Sequence, residues 1–319
     1  MTVIVASAPG KVVLCGEYAV LDGAPAVCMA INRRARVRVA DADTDHHSVL
    51  APGYTDVEGC FRVAAGGIEW LQGKNEYRLV DAVLRTIDFA PSRPLRIELD
   101  TNAFVDPATG NKIGVSSSAA LTVAVVRALT AAGNVPGDAM AAHRRLQNGA
   151  GSGVDIATSV HGGLIEFRMD DQRVTGLDWP QGLYFRLVWS GVATDTRVKL
   201  ARLENVPEAP SRAALVRSAT QMASAWTSAA TVLAAYPSYI EHLRAFSVDH
   251  GLGIFDAGHE QLSQEAAVAG LVYKPCGAGG GDVGILLGAS NAQLDEFMIG
   301  RAVDLAADFD SVGVTLEQH

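Results

Sequence analysis

The sequence predicts an α+β protein in two parts, and three observations carry that prediction. Runs rich in β-branched residues open the chain, with "ARVRV" alternating basic and apolar side chains as a half-exposed strand does. Glycine-rich loops then run directly into apolar helical stretches. Near residues 175–185 the texture turns strongly helical, before strands and helices alternate again in the last third.

The elements follow in order. "TVIVASAP", "APAVCMAI" and "RARVRVADA" read as antiparallel strands, with "LDGAP" as a turn. From Asn75 to Phe89, Tyr77, Val80, Val83, Leu84 and Ile87 recur at intervals of three and four, an apolar helical stripe. "PLRIELDT" reads as a strand, and "NKIGVSSSAALTVAVVRALTAAG" as a loop feeding a buried helix that stops by Gly133. "GGLIEFRM" and "LYFRLVWSG" are strand-like; "SRAALVRSATQMASAWTSAATVLAAY" and "YIEHLRAFSVDHG" are helical. "LVYKPCGAGGGDVGILLG" reads as a glycine loop followed by a strand, "NAQLDEFMIGRAVDLAADF" as helix-like, and "VGVTL" as a last strand. No fixed-period repeat is present.

Composition narrows the function classes. With 319 residues, 49% hydrophobic and 19% charged, the chain buries a sizeable core and is not of the disordered kind. A formal charge of −9 argues against a general nucleic-acid binder, which needs a basic face. Cys15, Cys28, Cys60 and Cys276 form no C-x-x-C pair and no zinc spacing, so reduced, buried thiols are expected. The N-terminus lacks a basic stretch followed by an uninterrupted apolar run, and no apolar stretch is long enough to span a bilayer. The expectation is a cytoplasmic protein acting on a small molecule, with neither nucleic acid nor membrane as partner; the sequence does not fix its oligomeric state.

Three loops and one cation carry the chemistry. In Gly114-Val115-Ser116-Ser117-Ser118-Ala119-Ala120, small residues let backbone N–H groups approach phosphate oxygens, and the following helix dipole favours negative charge. The segment lacks the Gly-Lys-Ser/Thr ending of a Walker A loop; the plain alternative is an N-cap on a core helix. Gly277-Ala278-Gly279-Gly280-Gly281-Asp282 holds four glycines in five positions, more than a tight turn needs. Asp155 follows the glycine-rich "QNGAGSGV" and either caps the next helix or serves a substrate. Lys11, in "APGKVVLCGEYAVLDG", stands at a Pro-Gly turn and gains weight only beside the other loops.

In this order these segments resemble the GHMP kinases, the superfamily named for galactokinase, homoserine kinase, mevalonate kinase and phosphomevalonate kinase. "APGKVVLCGEYAVLDGAPAV" is similar to its first motif, "IGVSSSAA" to its second and "KPCGAGGGDVGILL" to its third; with "GSGVDIATSVHGG" the match spans nearly the whole chain. The resemblance implies an N-terminal α/β domain of the ribosomal protein S5 domain 2-like type on a mostly antiparallel sheet, here residues 1–180. It implies a ferredoxin-like α+β domain over 181–319, with the nucleotide in the cleft between. Glu17-Tyr18, "GSGVD" and Gly281-Asp282 resemble the branch whose acceptor is already phosphorylated; the mevalonate kinase branch typically carries histidine after that glutamate and Pro-Ser-Gly before its aspartate.

By resemblance, the cofactors are ATP and Mg²⁺. Residues Gly114, Val115, Ser116, Ser117, Ser118, Ala119 and Ala120 would wrap the ATP phosphates, with Ser118 on the metal. Lys11 and Asp155 would be catalytic, and Gly277, Ala278, Gly279, Gly280 and Gly281 would form the second phosphate or substrate loop. Tyr18, Ser152, Arg144, Arg197 and Lys199 are substrate candidates, with Arg145 and Arg202 behind them, each also readable as part of a solvated basic face. His143, His161 and His259 have no metal spacing and are read as structural. Two departures stand out: Ser116 replaces a usual glycine, and no glutamate precedes Asp155 to join the metal shell. Alternatives are an alcohol kinase of the same superfamily, a decarboxylase on the same fold, and a ligand-binding homologue without catalysis.

Overall fold

The computed structural model describes residues 3–130, 133–149, 151–194, 196–204, 209–301 and 303–318. In chain order the first part contains β1 (Ile4–Cys15), β2 (Ala26–Asp41), β3 (His47–Ala51), β4 (Thr55–Ala64), β5 (Gly67–Gln72), α1 (Arg78–Leu84) and β6 (Leu95–Asp100). It continues through α2 (Ser117–Leu129), α3 (Val135–Leu146), α4 (Val154–His161), β7 (Leu164–Arg168) and β8 (Arg173–Leu177). The second part holds β9 (Tyr184–Trp189), α5 (Thr196–Glu204), α6 (Pro210–Ser224), α7 (Ala229–Asp249), α8 (His259–Val268), β10 (Val272–Pro275), β11 (Val283–Gly288), α9 (Asn291–Met298) and β12 (Val303–Asp304), after which β13 (Thr315–Gln318) closes the chain.

Two sheets organise these elements. The larger runs β13-β1-β2-β6-β3-β4-β5, and β7 with β8 branches from β2; every pair is antiparallel except β3 with β6. The two branches share β2 because the strand is sixteen residues long: Arg36 to Asp41 pair with β6, and Ala26 to Met29 with β7. What reads in the sequence as two strands, "APAVCMAI" and "RARVRVADA", is therefore one. The smaller sheet is antiparallel, in the order β10-β11-β9-β12.

A division at residue 180 falls between β8, of the larger sheet, and β9, the first strand of the smaller one. The C-terminal strand does not respect it. Ile4 pairs with Gln318 and Ser7 with Thr315, so β13 forms the edge of the larger sheet. Arg34 holds the returning chain through Asp310 at 2.6 Å and the carbonyls of Val312 and Gly313.

Helix α2 is buried almost all round, through Ala119, Ala120, Val123 to Val126 and Ala128. A helix apolar on every face belongs inside a core, and α2 packs against β1, β2, α3 and α4. The largest cluster crosses the seam between the sheets: Leu14, Met29 and Ile31 of the first part meet Trp189, Leu215, Tyr236 and Ile285 of the second. This continuous core fixes the walls of the cleft.

Several predicted elements are shorter than their patterns. The stripe from 75 to 89 supports a helix only over Arg78–Leu84, although Tyr77 and Ile87 are also buried. The helix-like run 291–309 ends at Met298, because Gly300 turns left-handed and Val303 pairs with Trp189. The long helical stretch after 210 breaks at Ser228, whose hydroxyl caps α7 in a capping box with Thr231. All four cysteines are buried and unpaired, and among the described residues no helix is long and apolar enough to cross a membrane.

Candidate active site

Lys11 owes its position to Gly10. A Cβ on Gly10 would lie 2.6 Å from the Val115 carbonyl oxygen, so only glycine lets β1 run this close to the loop before α2. The Lys11 backbone N–H then donates to that same carbonyl at 3.1 Å. Its ammonium points into the cleft and meets Asp155 Oδ1 at 3.3 Å.

Asp155 sits in the first turn of α4, behind Gly153 in the left-handed region. Its second oxygen accepts a hydrogen bond from Ser116 Oγ at 3.2 Å. Burial pushes the carboxyl pKa up, but the Lys11 charge, His143 and the two hydrogen bonds outweigh it and hold it below the ordinary carboxylate value. For Lys11 burial acts downwards, and the Asp155 charge reverses it, leaving the ammonium raised. The pair is an ionised carboxylate beside a firmly protonated amine.

The loop from Gly114 to Ala120 lies beside this pair. Gly114 is left-handed and Val115 is buried; Ser116 is the left-handed N-cap of α2, and Ser117 and Ser118 begin the helix, with Ala119 and Ala120 fully buried beneath. Gly114 and Ser116 line a cavity floored by Lys11 and Asp155. Ser117 and Ser118 open instead to a second cavity between α2 and the first sheet, walled by Tyr54, Leu79, Leu99, Phe104 and Leu121. The two cavities flank the N-terminus of α2, one lined by Ser116 and the other by Ser117, where unpaired N–H groups and the helix dipole favour an anion.

The second-part loop covers the first cavity. Gly277 and Ala278 line it. Gly279 to Gly281 face protein: Cβ atoms built there would strike Ile254, Lys199 with Gly253, and Thr194. Those three glycines serve close packing, with His259 Nε2 within 3.0 Å of the Gly281 carbonyl from beneath. Tyr18 lines the cavity at φ +61, and its hydroxyl donates to the Ala278 carbonyl at 2.8 Å.

The substrate candidates separate. Tyr18 and Ser152 line the cavity, the Ser152 hydroxyl accepting from Val154 N–H at 3.4 Å. Arg144 does not line it; His143 of the same helix and Gln147, just past its end, do. Arg145 and Arg202 are exposed. Lys199 is buried and turned towards the Gly253 carbonyl at 3.3 Å, against Gly280, while its helix neighbours Thr196 and Leu200 line the cavity. Burial lowers its ammonium pKa, opposed by Asp256. Arg197 lies in α5, and its side chain is outside the described residues.

Three groups named in the sequence, His143 as structural, Asp282 as the end of a motif and Glu17 as support for Lys11 or packing, have partners there that the sequence did not show. His143, read as structural, is buried in the cavity wall with Nε2 3.3 Å from Ser118 Oγ. Asp282 ends the glycine loop and faces Gly114; burial pushes its carboxyl up to about 6 against the Thr194 N–H and the charges of Lys11 and Lys199. Glu17 and Lys274 form a buried ion pair joining the end of β1 to β10, with Tyr239 donating to the other Glu17 oxygen. His143 carried a signal, at helical spacing four residues ahead of Gln147. The other two depend on strands brought together from opposite ends of the chain.

Residues 77–163 match the family model for the GHMP kinases N terminal domain. The chain is 28% identical to a phosphomevalonate kinase from Streptomyces sp. (strain CL190), over 92% of this chain and 91% of that one. The crystal structure of the Lin0012 protein from Listeria innocua superposes with a TM-score of 0.86 at 20% identity, covering 99% of each chain. Streptococcus pneumoniae phosphomevalonate kinase, solved with phosphomevalonate and AMPPNP, superposes with a TM-score of 0.76 at 16% identity, covering 98% of this chain and 99% of that one. Over nearly its whole length the chain has the fold of the GHMP kinases, and residues 77–163 resemble their N-terminal domain in sequence.

Proposed function

We propose that this protein is a GHMP kinase acting as a phosphomevalonate kinase, moving the γ-phosphoryl group of ATP to the phosphate oxygen of 5-phosphomevalonate. The observation that carries the reading is the ionised Lys11–Asp155 pair at the floor of a cleft closed by two glycine loops, in a chain similar to a phosphomevalonate kinase along nine-tenths of its length.

ATP lies with its base and sugar in the cavity behind Ser117 and Ser118, and its phosphates turn round the N-terminus of α2 into the cavity of Lys11. The backbone N–H groups of that helix start supply fixed dipoles where the triphosphate charge gathers. A magnesium ion, which the family implies, would find oxygen chemistry there: the Ser118 hydroxyl would help hold it, alongside triphosphate oxygens and water. When bound, the ion neutralises charge on the transferring and leaving groups.

Lys11 is placed between acceptor and γ-phosphate, where its charge stabilises the oxygens that gain charge in transfer. Asp155 keeps Lys11 protonated and aimed. A phosphomonoester acceptor is already ionised near neutral pH, with a second pKa of about 6, so positioning and charge neutralisation account for most of the acceleration. Tyr18, Ser152 and the α5 face that includes Thr196 bound the acceptor side.

The test is ADP release by the purified protein with Mg-ATP, comparing (R)-5-phosphomevalonate, (R)-mevalonate, homoserine and several sugars. Turnover with phosphomevalonate and not with the alcohols is the expected result. Turnover with mevalonate alone rejects the proposed acceptor.

A further inference from the structure

Ser116 stands where its backbone favours glycine. Its φ of +67° and ψ of +43° lie in the left-handed region, which disfavours any residue with a Cβ. As N-cap of α2 it would be expected to accept from the helix N–H groups, yet it makes no capping bond. Its hydroxyl donates across the cleft to Asp155 Oδ2 at 3.2 Å. Lys11 Nζ lies 3.3 Å from Oδ1. Each oxygen of the carboxylate therefore already has a donor before an acceptor enters. A left-handed residue that forgoes its cap to hold a catalytic carboxylate points to function.

The consequence depends on the acceptor. In either reaction the bond from the γ-phosphorus to the β,γ-bridging oxygen breaks, its electron pair leaves with ADP, and a bond forms from the acceptor oxygen to phosphorus. An alcohol must also give up its proton, and each donor already on a carboxylate makes it a poorer acceptor for that proton. A phosphomonoester dianion has no proton to give. We propose that Ser116 is a positioning residue that sets the acceptor class: by holding Asp155 Oδ2 it keeps the carboxylate an orienting charge and suits the site to a phosphate oxygen over an alcohol. The inference rests on the phosphomonoester reading above and adds a residue to it.

The test measures kcat and KM at saturating Mg-ATP for (R)-5-phosphomevalonate and (R)-mevalonate, in the wild type, Ser116→Gly and Ser116→Ala. Glycine adopts the left-handed cap without strain and lacks the hydroxyl; alanine lacks the hydroxyl but keeps a Cβ. Both variants should raise the ratio of alcohol to phosphomonoester kcat/KM by about tenfold or more, equivalent to roughly 1.4 kcal/mol. A residue that merely shapes the phosphate loop changes both acceptors alike, so a ratio within about twofold of wild type in both variants overturns the inference. Failure of the functional reading shows separately and earlier: the wild type would then not turn over the phosphomonoester, and this inference would fall with it.

Discussion

Gly114 and Asp282 face each other across the seam between the two sheets, so closely that a Cβ on Gly114 would lie 2.1 Å from Asp282 Cγ. Gly114 is also left-handed, at φ +85°. Gly114→Ala should therefore raise the KM for ATP by an order of magnitude or more, since overpacking and backbone strain together cost roughly 2–4 kcal/mol at the phosphate loop. Adding Asp282→Gly removes the clash and leaves the strain, so the double variant should recover part of the loss. Isothermal titration with a non-hydrolysable ATP analogue reads both.

Asp282 also gives a pH dependence with a definite sign. Its folded-state pKa is raised from 3.8 to about 6 by burial, opposed by the Thr194 N–H. A raised carboxyl favours the protonated form in the fold. Relative stability is thus fully present below about pH 4 and lost as pH rises through 6. Asp282→Asn keeps an acceptor for Thr194 and cannot ionise. Its melting temperature should gain on the wild type between about pH 4 and pH 7, by on the order of 1–2 kcal/mol after allowance for partial exposure. A constant offset across that range would mean the carboxyl is not shifted.

Lys11 should matter to turnover and little to nucleotide binding. Lys11→Met removes the charge near the transferring group and leaves the α2 N-terminus and its N–H groups in place. A loss in kcat of about two to three orders of magnitude is expected, a size typical of deleting one electrostatic stabiliser, with the KM for ATP changed by only a few-fold. Unchanged turnover would remove Lys11 from the mechanism.

The cavity proposed for the nucleotide can be probed apart from the one proposed for the acceptor. Leu121 lines the former and not the latter. Leu121→Trp should raise the KM for ATP by about tenfold through overpacking, leaving the KM for the acceptor near its original value. Equal effects on both substrates would place the adenosine elsewhere.

Much of this site was legible because its chemistry is local. The glycine loops, Lys11 after Pro-Gly and Asp155 after "GSGV" are short runs whose spacing survives folding. The central helix α2 was legible too, because unbroken apolar sequence has only one place to go. The hairpin strands β3 to β5 were not: their faces mix polar and apolar residues, and half of β4 and most of β5 are exposed. The run 291–309 misled because helical spacing continued past Gly300, where the backbone turned. β13 joins β1 through register over three hundred residues of separation, which no local pattern encodes. Asp282 looked like the end of a motif, and only the packed fold sets it against Gly114.

The buried Glu17–Lys274 pair is the clearest case of meaning supplied by packing. Lys274 has no exposed surface and Glu17 is 5% exposed. Lys274 Nζ also donates to the Val13 carbonyl at 3.2 Å, and Tyr239, which donates to Glu17 at 2.5 Å, itself accepts the Gly16 N–H at 2.8 Å. Every member of the network has a partner, and it ties the strand carrying Lys11 to the strand that leads into the Gly277 loop. Removing one charge strands the other in low dielectric. Lys274→Met should cost about 3–5 kcal/mol in urea unfolding. Glu17→Gln combined with Lys274→Met leaves no unpaired charge and keeps an acceptor for Tyr239, so it should cost less than half as much. If the double variant is as unstable as the single one, stranded charge is not the cause, and the network's value lies in its shape.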